Sequence, residues 1–514
     1  MIAFLKRHIS SYRTRSGICL LLILLFGFYL RTYRLDMLLR FYYDQGRDAI
    51  VIHDIIHKLR PVLVGPTTGL AGIMRGPAFY YLLLPAYLVG RGDPVIAAVW
   101  LQLLNTFGLF VIFLIGKKIH SPLAGIVAAF LVGFSQHIVD LSRWLSNPSP
   151  ILTSVPIMVY ALLRLFDPPP AMGEKPTPAA GQRGFWWYII ALMLGLNLQF
   201  EIASEFWFLP AFVLLLLLYP QIRPAKKTFA IASLIFLSTL IPQIVFDLRH
   251  GGIMRLAILK QFTSGDQSSF TFTLEQFISR SSFYLNSFTT LFVPKRPELI
   301  ISLLALLIPV LISTHRRLLT PVIILFAAPL FFLLPYSGNQ GNFYSYYLIG
   351  LFPIFLIIVA VVLAHFLTHR YLFFIPLILI FLFTRINLYL MTSFLSAGVD
   401  GPEHISLGNQ LQAIDWIYQQ AGDTPFNVDI YVPPVIPYSY DYLFSWYGPK
   451  QYRQTPATDT RDLLFTLSEV DPPNVPRHQA WLDNRSRFAE ARAYARFGGV
   501  WVEKRIRKPV KSKP

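Results

Sequence analysis

Apolar runs of roughly 17–25 residues recur along most of this 514-residue chain, each long enough to cross a bilayer as a helix. They fall at about 17–32, 94–116, 120–137, 150–166, 185–201, 204–220, 228–246, 299–314, 319–335, 343–367 and 371–393. Barrel strands would instead show short alternating segments. The pattern predicts an all-α polytopic membrane protein with about 11 transmembrane helices. Residues 77–90 are apolar but short and interrupted by Pro85, so they are assigned to a juxtamembrane helix. The 54% hydrophobic content agrees, since soluble domains carry less.

The net charge of +18 is dispersed into short loops, which argues against nucleic acid as a partner. Lys117-Lys118, Arg223/Lys226/Lys227, His315-Arg316-Arg317 and His369-Arg370 all fall on the side of the basic N-terminus. By the positive-inside rule that side is cytoplasmic, in a multi-pass protein of the cell (plasma) membrane. No small-residue cleavage site follows the first apolar run, so the N-terminus reads as a retained anchor. The lone Cys19 excludes an intrachain disulfide.

Four segments then lie on the far side: 33–92, 138–149, 247–298 and 394–514. The chain divides into a transmembrane domain, 1–395, and a small extracytoplasmic α/β domain, 396–514. In the latter, the spacing predicts a helix over 405–421 and strands over 426–432 and 499–504. The basic C-terminal run runs against an outside location, but long domains translocate largely regardless of charge. In the first external loop, Ala49, Ile50, Ile52, Ile55 and Ile56 place an amphipathic helix over 45–60.

The external segments hold the candidate chemistry. Asp44 and Asp48 lie four residues apart and share a face of that helix, where a carboxylate can take a proton or hold a metal. The structural alternative makes Asp44 the N-cap, beside an Arg47 ion pair. The glycine-rich run 65–77 offers backbone N–H groups and Arg75 to a phosphate, or is a plain external loop; it has no Walker pattern. Arg143 ends one span, and Asp247, Arg249 and His250 end another, Asp247 and Arg249 as a structural pair or as part of a site. Glu201 and Glu205 are acids at membrane depth. Tyr336, Asn339, Gln340, Asn342, Tyr344, Tyr346 and Tyr347 suit a sugar, or an interfacial belt.

With these residues in place, the chain resembles the GT-C superfamily of integral membrane glycosyltransferases. It is most similar to the branch of the protein O-mannosyltransferases and the lipid A aminoarabinose transferase. The likeness rests on the Asp44 cluster after the first span, Arg75-Gly76-Pro77, Ser142-Arg143-Trp144 with Asn147-Pro148-Ser149, Phe246-Asp247-Leu248-Arg249-His250, Tyr346-Tyr347 and the segment 437–448. It implies inverting transfer from a polyprenyl-phosphate sugar to a glycan, lipid or protein acceptor at the extracytoplasmic face. It implies Asp44 as general base; Gln45 stands where the family carries Glu, and the helical spacing offers Asp48 as a substitute. Arg75, Arg143, Arg249, His250, Tyr346 and Tyr347 are the matching donor-binding candidates. The resemblance fixes no cofactor and no metal ligand, though a divalent metal is compatible with it. A flippase for lipid-linked sugars would show inverted repeats or broken helices, and neither is legible. A third class is a scaffolding subunit acting through its external domain.

Overall fold

The computed structural model describes residues 2–68, 72–167, 179–263, 273–313, 315–336 and 342–509. Every predicted apolar run overlaps a helix: Ile2–Thr32, Pro94–Ile119, Pro122–Phe134, Ile151–Leu165, Ala179–Phe200, Phe208–Leu218, Lys226–Arg249, Pro297–Ile312, Arg316–Phe332, Leu351–Leu367 and Phe374–Ser396. Among the described residues, Pro94–Ile119, Lys226–Arg249 and Phe374–Ser396 are by themselves long and apolar enough to cross a membrane. Pro122–Phe134 with Gln136–Arg143 makes a fourth if that bent pair is one span. Ser16–Thr32, Ile151–Leu165, Ile202–Leu218, Pro297–Ile312 and Leu351–Leu367 are apolar over shorter lengths, so helix length does not by itself give about 11 spans. Residues 77–90 form the short helix Ala78–Val89, with Pro85 inside it.

Burial sorts these helices. Leu351–Leu367 is buried on nearly every side and forms the centre of the bundle, as expected of a helix apolar all round. Lys226–Arg249 lies at the periphery, with Phe229, Leu234, Leu237, Ile241 and Ile244 exposed, a surface suited to hydrocarbon.

Two breaks are not legible in the sequence. Pro122–Phe134 bends by 60° into Gln136–Arg143. There the Gln136 N–H leaves the helical ladder and donates to Asn387 Oδ1 at 2.9 Å, while Ser135 Oγ donates to the Leu291 carbonyl at 2.8 Å. The second break falls at Glu201, whose side chain accepts from the Ala203 N–H at 3.3 Å.

The C-terminal region holds a four-stranded sheet of order β1-β2-β4-β3. Strand β1 (Asn427–Tyr431) pairs parallel with β2 (Leu463–Glu469), across the helix Tyr438–Tyr452. Strands β3 (Ala489–Phe497) and β4 (Val500–Arg507) form an antiparallel hairpin, and β4 also pairs antiparallel with β2. The predicted helix appears as Leu407–Ala421, and the predicted strands as β1 and β4. Strands β2 and β3 are additions.

This unit docks on the amphipathic helix, which runs Tyr43–Lys58. At Gly46 the two helices touch backbone to backbone: a Cβ there would lie 2.3 Å from Ser439 N. Nearby, Tyr440 Oη donates to Glu469 Oε1 at 2.9 Å, and Gln410 Nε2 donates to the Phe41 carbonyl at 3.0 Å. Gly46→Ala is expected to cost about 1–3 kcal/mol by overpacking this contact, read as a lower thermal midpoint of the purified protein. Burial also pushes the Glu469 carboxyl from 4.5 up to about 7, against the hydrogen bonds from Tyr440 and Gln410 that favour its charged form. Its contribution to stability is therefore full below pH 4.5 and is lost as pH rises through about 7. The thermal midpoint should fall over that window in wild type, and Glu469→Gln should flatten the fall.

Candidate active site

The amphipathic helix presents the first acid. Its buried stripe of Ala49, Ile52 and Ile55 fixes its rotation. Asp44 lies in the first turn, not at the N-cap, and its side chain is 52% exposed. A carboxylate there is favoured by the helix dipole. Gln45 turns back to accept the Tyr42 N–H at 3.0 Å, so its buried side chain caps the helix.

Arg47 holds both acids. Its Nη1 donates to Asp44 Oδ1 at 2.7 Å, and Nε and Nη2 donate to Asp48 Oδ1 at 2.9 and 2.7 Å. Burial works against the charge on Arg47, but Asp48 and Asp44 outweigh it and raise its pKa. Asp48 is buried, and that burial lifts its carboxyl to about 6 although Arg47 pulls it down. Asp48, expected from the helical spacing as a second catalytic carboxylate, is buried, does not line the cavity and anchors Arg47 from beneath.

The second wall is the loop 65–76. Gly65 N–H donates to the Arg75 carbonyl at 2.8 Å, Arg75 N–H to Pro66 at 2.9 Å and Thr68 N–H to Ile73 at 2.9 Å. These N–H groups close a small hairpin, so they are not aimed at a ligand as the glycine content suggests; Gly69, Leu70 and Ala71 lie outside the described residues. The hairpin delivers the Arg75 side chain. Gly76 packs so closely on Gln199 that a Cβ would lie 2.3 Å from its Cγ. The helix break puts Glu201 within reach, and Arg75 Nη2 donates to Glu201 Oε2 at 2.7 Å.

The third wall follows the bend at Ser135. Gln136–Arg143 leads into Trp144, Ser146, Asn147 and Pro148, and Tyr346 packs on Trp144 with ring centroids 5.7 Å apart. Together, Asp44, Arg47, Thr67, Arg75, Trp144, Asn147 and Tyr346 line a polar cavity of about 280 Å³. Asn147 Nδ2 and Arg75 Nε are buried without hydrogen-bond partners. Buried donors of this kind call for an acceptor. A wider recess of about 520 Å³ lies by Leu38, Tyr42, Phe394 and Glu403, but it gathers no comparable set of cations and amides.

No family model matches the sequence, and no curated protein is detectably similar to it. Solved structures are similar in fold. ArnT from Cupriavidus metallidurans bound to undecaprenyl phosphate superposes with a TM-score of 0.62 at 11% identity, over 97% of this chain and 99% of that one. In its apo state the figures are 0.61, 12%, 96% and 98%. AglB, the archaeal oligosaccharyltransferase from Archaeoglobus fulgidus in complex with an inhibitory peptide and a dolichol-phosphate, gives 0.51 at 12% identity, over 98% of this chain and 75% of that one. The chain has the GT-C fold. The resemblance read from the sequence is thus borne out at the level of fold.

Within the GT-C fold, the other candidate residues take varied positions. Tyr347 is buried behind Tyr346, ring centroids 4.8 Å apart. Arg143 turns away from the cavity, and its Nη1 donates to the Leu30 and Tyr33 carbonyls at 3.0 and 2.9 Å, capping the first helix. Arg249 and His250 are exposed at the end of Lys226–Arg249 and do not line the cavity; His250 Nδ1 lies 2.8 Å from the Phe246 carbonyl. Asp247 does not pair with Arg249; its Oδ1 accepts the Met254 N–H at 2.7 Å and caps the next helix. Asn339 and Gln340 lie outside the described residues. Arg47, Trp144 and Asn147 line the cavity without having been singled out as site residues, and Glu201, an acid noted at membrane depth, holds Arg75. Glu201 had a signal, an acid inside an apolar run, while Arg47 had only its spacing to two acids.

Glu201 is 1% exposed and Arg75 is 14% exposed, so removing one partner strands the other. Glu201→Leu alone is expected to cost about 3–5 kcal/mol, and Glu201→Leu with Arg75→Met to recover most of it, in thermal unfolding of the four members of that cycle.

Proposed function

We propose that this cavity is the active site of a membrane glycosyltransferase that moves a sugar from a polyprenyl-phosphate donor to an acceptor hydroxyl. The observation that carries the reading is a carboxylate, Asp44, sharing one polar cavity with the unpartnered donors of Arg75 and Asn147. Asp44 accepts one hydrogen bond from Arg47, and a carboxylate has capacity for more. It takes the proton of the acceptor hydroxyl as the oxygen attacks the anomeric carbon. The bond from that carbon to the phosphate oxygen breaks, the lipid phosphate leaves with the electron pair, and the anomeric configuration inverts. Arg75 and Asn147 stabilise the charge gathering on the phosphate, which is where preorganised donors count most. Trp144 and Tyr346 give the sugar ring an aromatic wall.

A place for the lipid tail supports this. Ile73, Leu198, Ile244, Leu248, Met254 and Ile258 line an apolar groove of about 510 Å³, reached from the Arg75 hairpin through Ile73. The fold neighbour ArnT is a structure bound to undecaprenyl phosphate. In this reading the cavity opens on the extracytoplasmic face, the N-terminus is cytoplasmic, residues 1–395 carry the transferase and residues 396–514 form an external domain. Glycan, lipid and protein hydroxyls all suit the acceptor role.

The two helix breaks favour a second reading, a flippase for lipid-linked sugars, because transporters bind at broken helices. Here each break builds a wall of the cavity, through Glu201 on one side and Trp144 on the other. The deciding experiment offers radiolabelled polyprenyl-phosphate sugars and a membrane-extract acceptor pool to protein reconstituted in liposomes. Wild type should transfer sugar and release lipid phosphate. Asp44→Asn should be slower by about 10²–10⁴-fold with donor affinity little changed, since a base acts in the transition state. Leaflet-to-leaflet movement of labelled lipid with no release of phosphate would establish the flippase instead.

A further inference from the structure

We propose that His120, His315 and His365 form a binding site for a zinc-class divalent cation at the end of the bundle away from the cavity. Three different helices supply them. His120 directly follows Pro94–Ile119, His315 directly precedes Arg316–Phe332, and His365 lies in the last turn of Leu351–Leu367. One ligating nitrogen from each lies within 4.8 Å of the other two, and among the described residues this is the one group of three or more His, Cys, Asp or Glu so arranged.

The chemistry fits zinc. Imidazole is a borderline ligand that suits zinc, and three histidines with one open position is a recurrent zinc geometry. With Zn–N bonds of about 2.0–2.1 Å, tetrahedral ligand nitrogens lie about 3.3 Å apart, so nitrogens within 4.8 Å of one another need to close by at most about 1.5 Å. All three are partly buried at helix ends, where side-chain torsions can supply that movement. The His120 and His315 rings already have centroids 4.0 Å apart. Ser121 Oγ lies 2.9 Å from His120 Nδ1, the kind of outer contact that orients a ligating ring. The plain alternative is a packing cluster of uncharged rings.

The site is remote from the cavity. The other end of the His120 helix lies under the C-terminal unit, where Tyr442 Oη donates to the Gly92 carbonyl and Trp446 Nε1 to the Arg91 carbonyl. Helix Pro94–Ile119 has 26 residues, a separation of about 39 Å at 1.5 Å per residue. A cation there would staple three helix ends together, a role independent of the proposed transfer reaction.

The test uses full-length protein in lipid nanodiscs, made without a polyhistidine tag and stripped with chelator. Zinc is titrated by calorimetry, and thermal unfolding is followed with and without it. Wild type should bind one zinc per chain at this site and unfold at a higher temperature when loaded. His315→Asn and His365→Asn should each weaken binding about tenfold or more and remove the thermal shift, while His369→Asn should behave as wild type. Absence of saturable zinc binding to wild type, or equal binding by wild type and both variants, overturns the proposal. If the variants fail to fold, zinc protection of these three histidines in wild type from diethyl pyrocarbonate decides it: protection supports the site and unchanged modification overturns it.

Discussion

The cavity depends on one ion pair, Arg75 with Glu201, at 2.7 Å. A buried carboxylate without a partner is costly, and so is a stranded guanidinium. The pair resolves both, and in doing so joins two parts of the chain that are 126 residues apart. The helix must break at Glu201 for the carboxylate to reach, and the hairpin 65–76 must close on itself to bring the arginine. Gly76 against Gln199 allows the close approach. Without the pair, the Arg75 side chain would keep only its bond to the Thr67 carbonyl at 3.2 Å, within its own hairpin.

A second cation does a different task. Arg47 sits between one exposed acid and one buried acid of the same helix. Asp48 gives it a fixed position, and from there it orients Asp44. Two carboxylates four residues apart thus acquire unlike roles through environment alone: one is a support and one faces the cavity. Gln45 fits the same scheme, since its side chain is consumed in closing the helix start.

What the sequence made legible follows period and composition. The amphipathic helix, the short proline-bearing helix and the candidates Asp44, Arg75 and Tyr346 could be read, because burial stripes are local and acids are rare in an apolar chain. Arg143 misled, because an arginine at a span end looks alike whether it caps carbonyls or faces a ligand. Arg249 and His250 misled likewise, since membership of a polar turn does not say which way the turn faces. The break at Ser135 depends on Asn387, some 250 residues away, and no local pattern reports such a partner. Strand β2 is buried throughout and so lacks alternation, while β3 is built largely on alanines, which carry little strand preference.

The contact between Gly46 and Ser439 has a consequence for the birth of the molecule. The acid helix is made early and its docking partner nearly 400 residues later. At cellular synthesis rates the acid helix waits about 20–80 s for that partner. Until then the surface around Gly46 has nothing against it, and Asp44 rides on a helix free to shift. A nascent chain that has not yet made Tyr438–Tyr452 would therefore hold Asp44 on a helix without its docking partner.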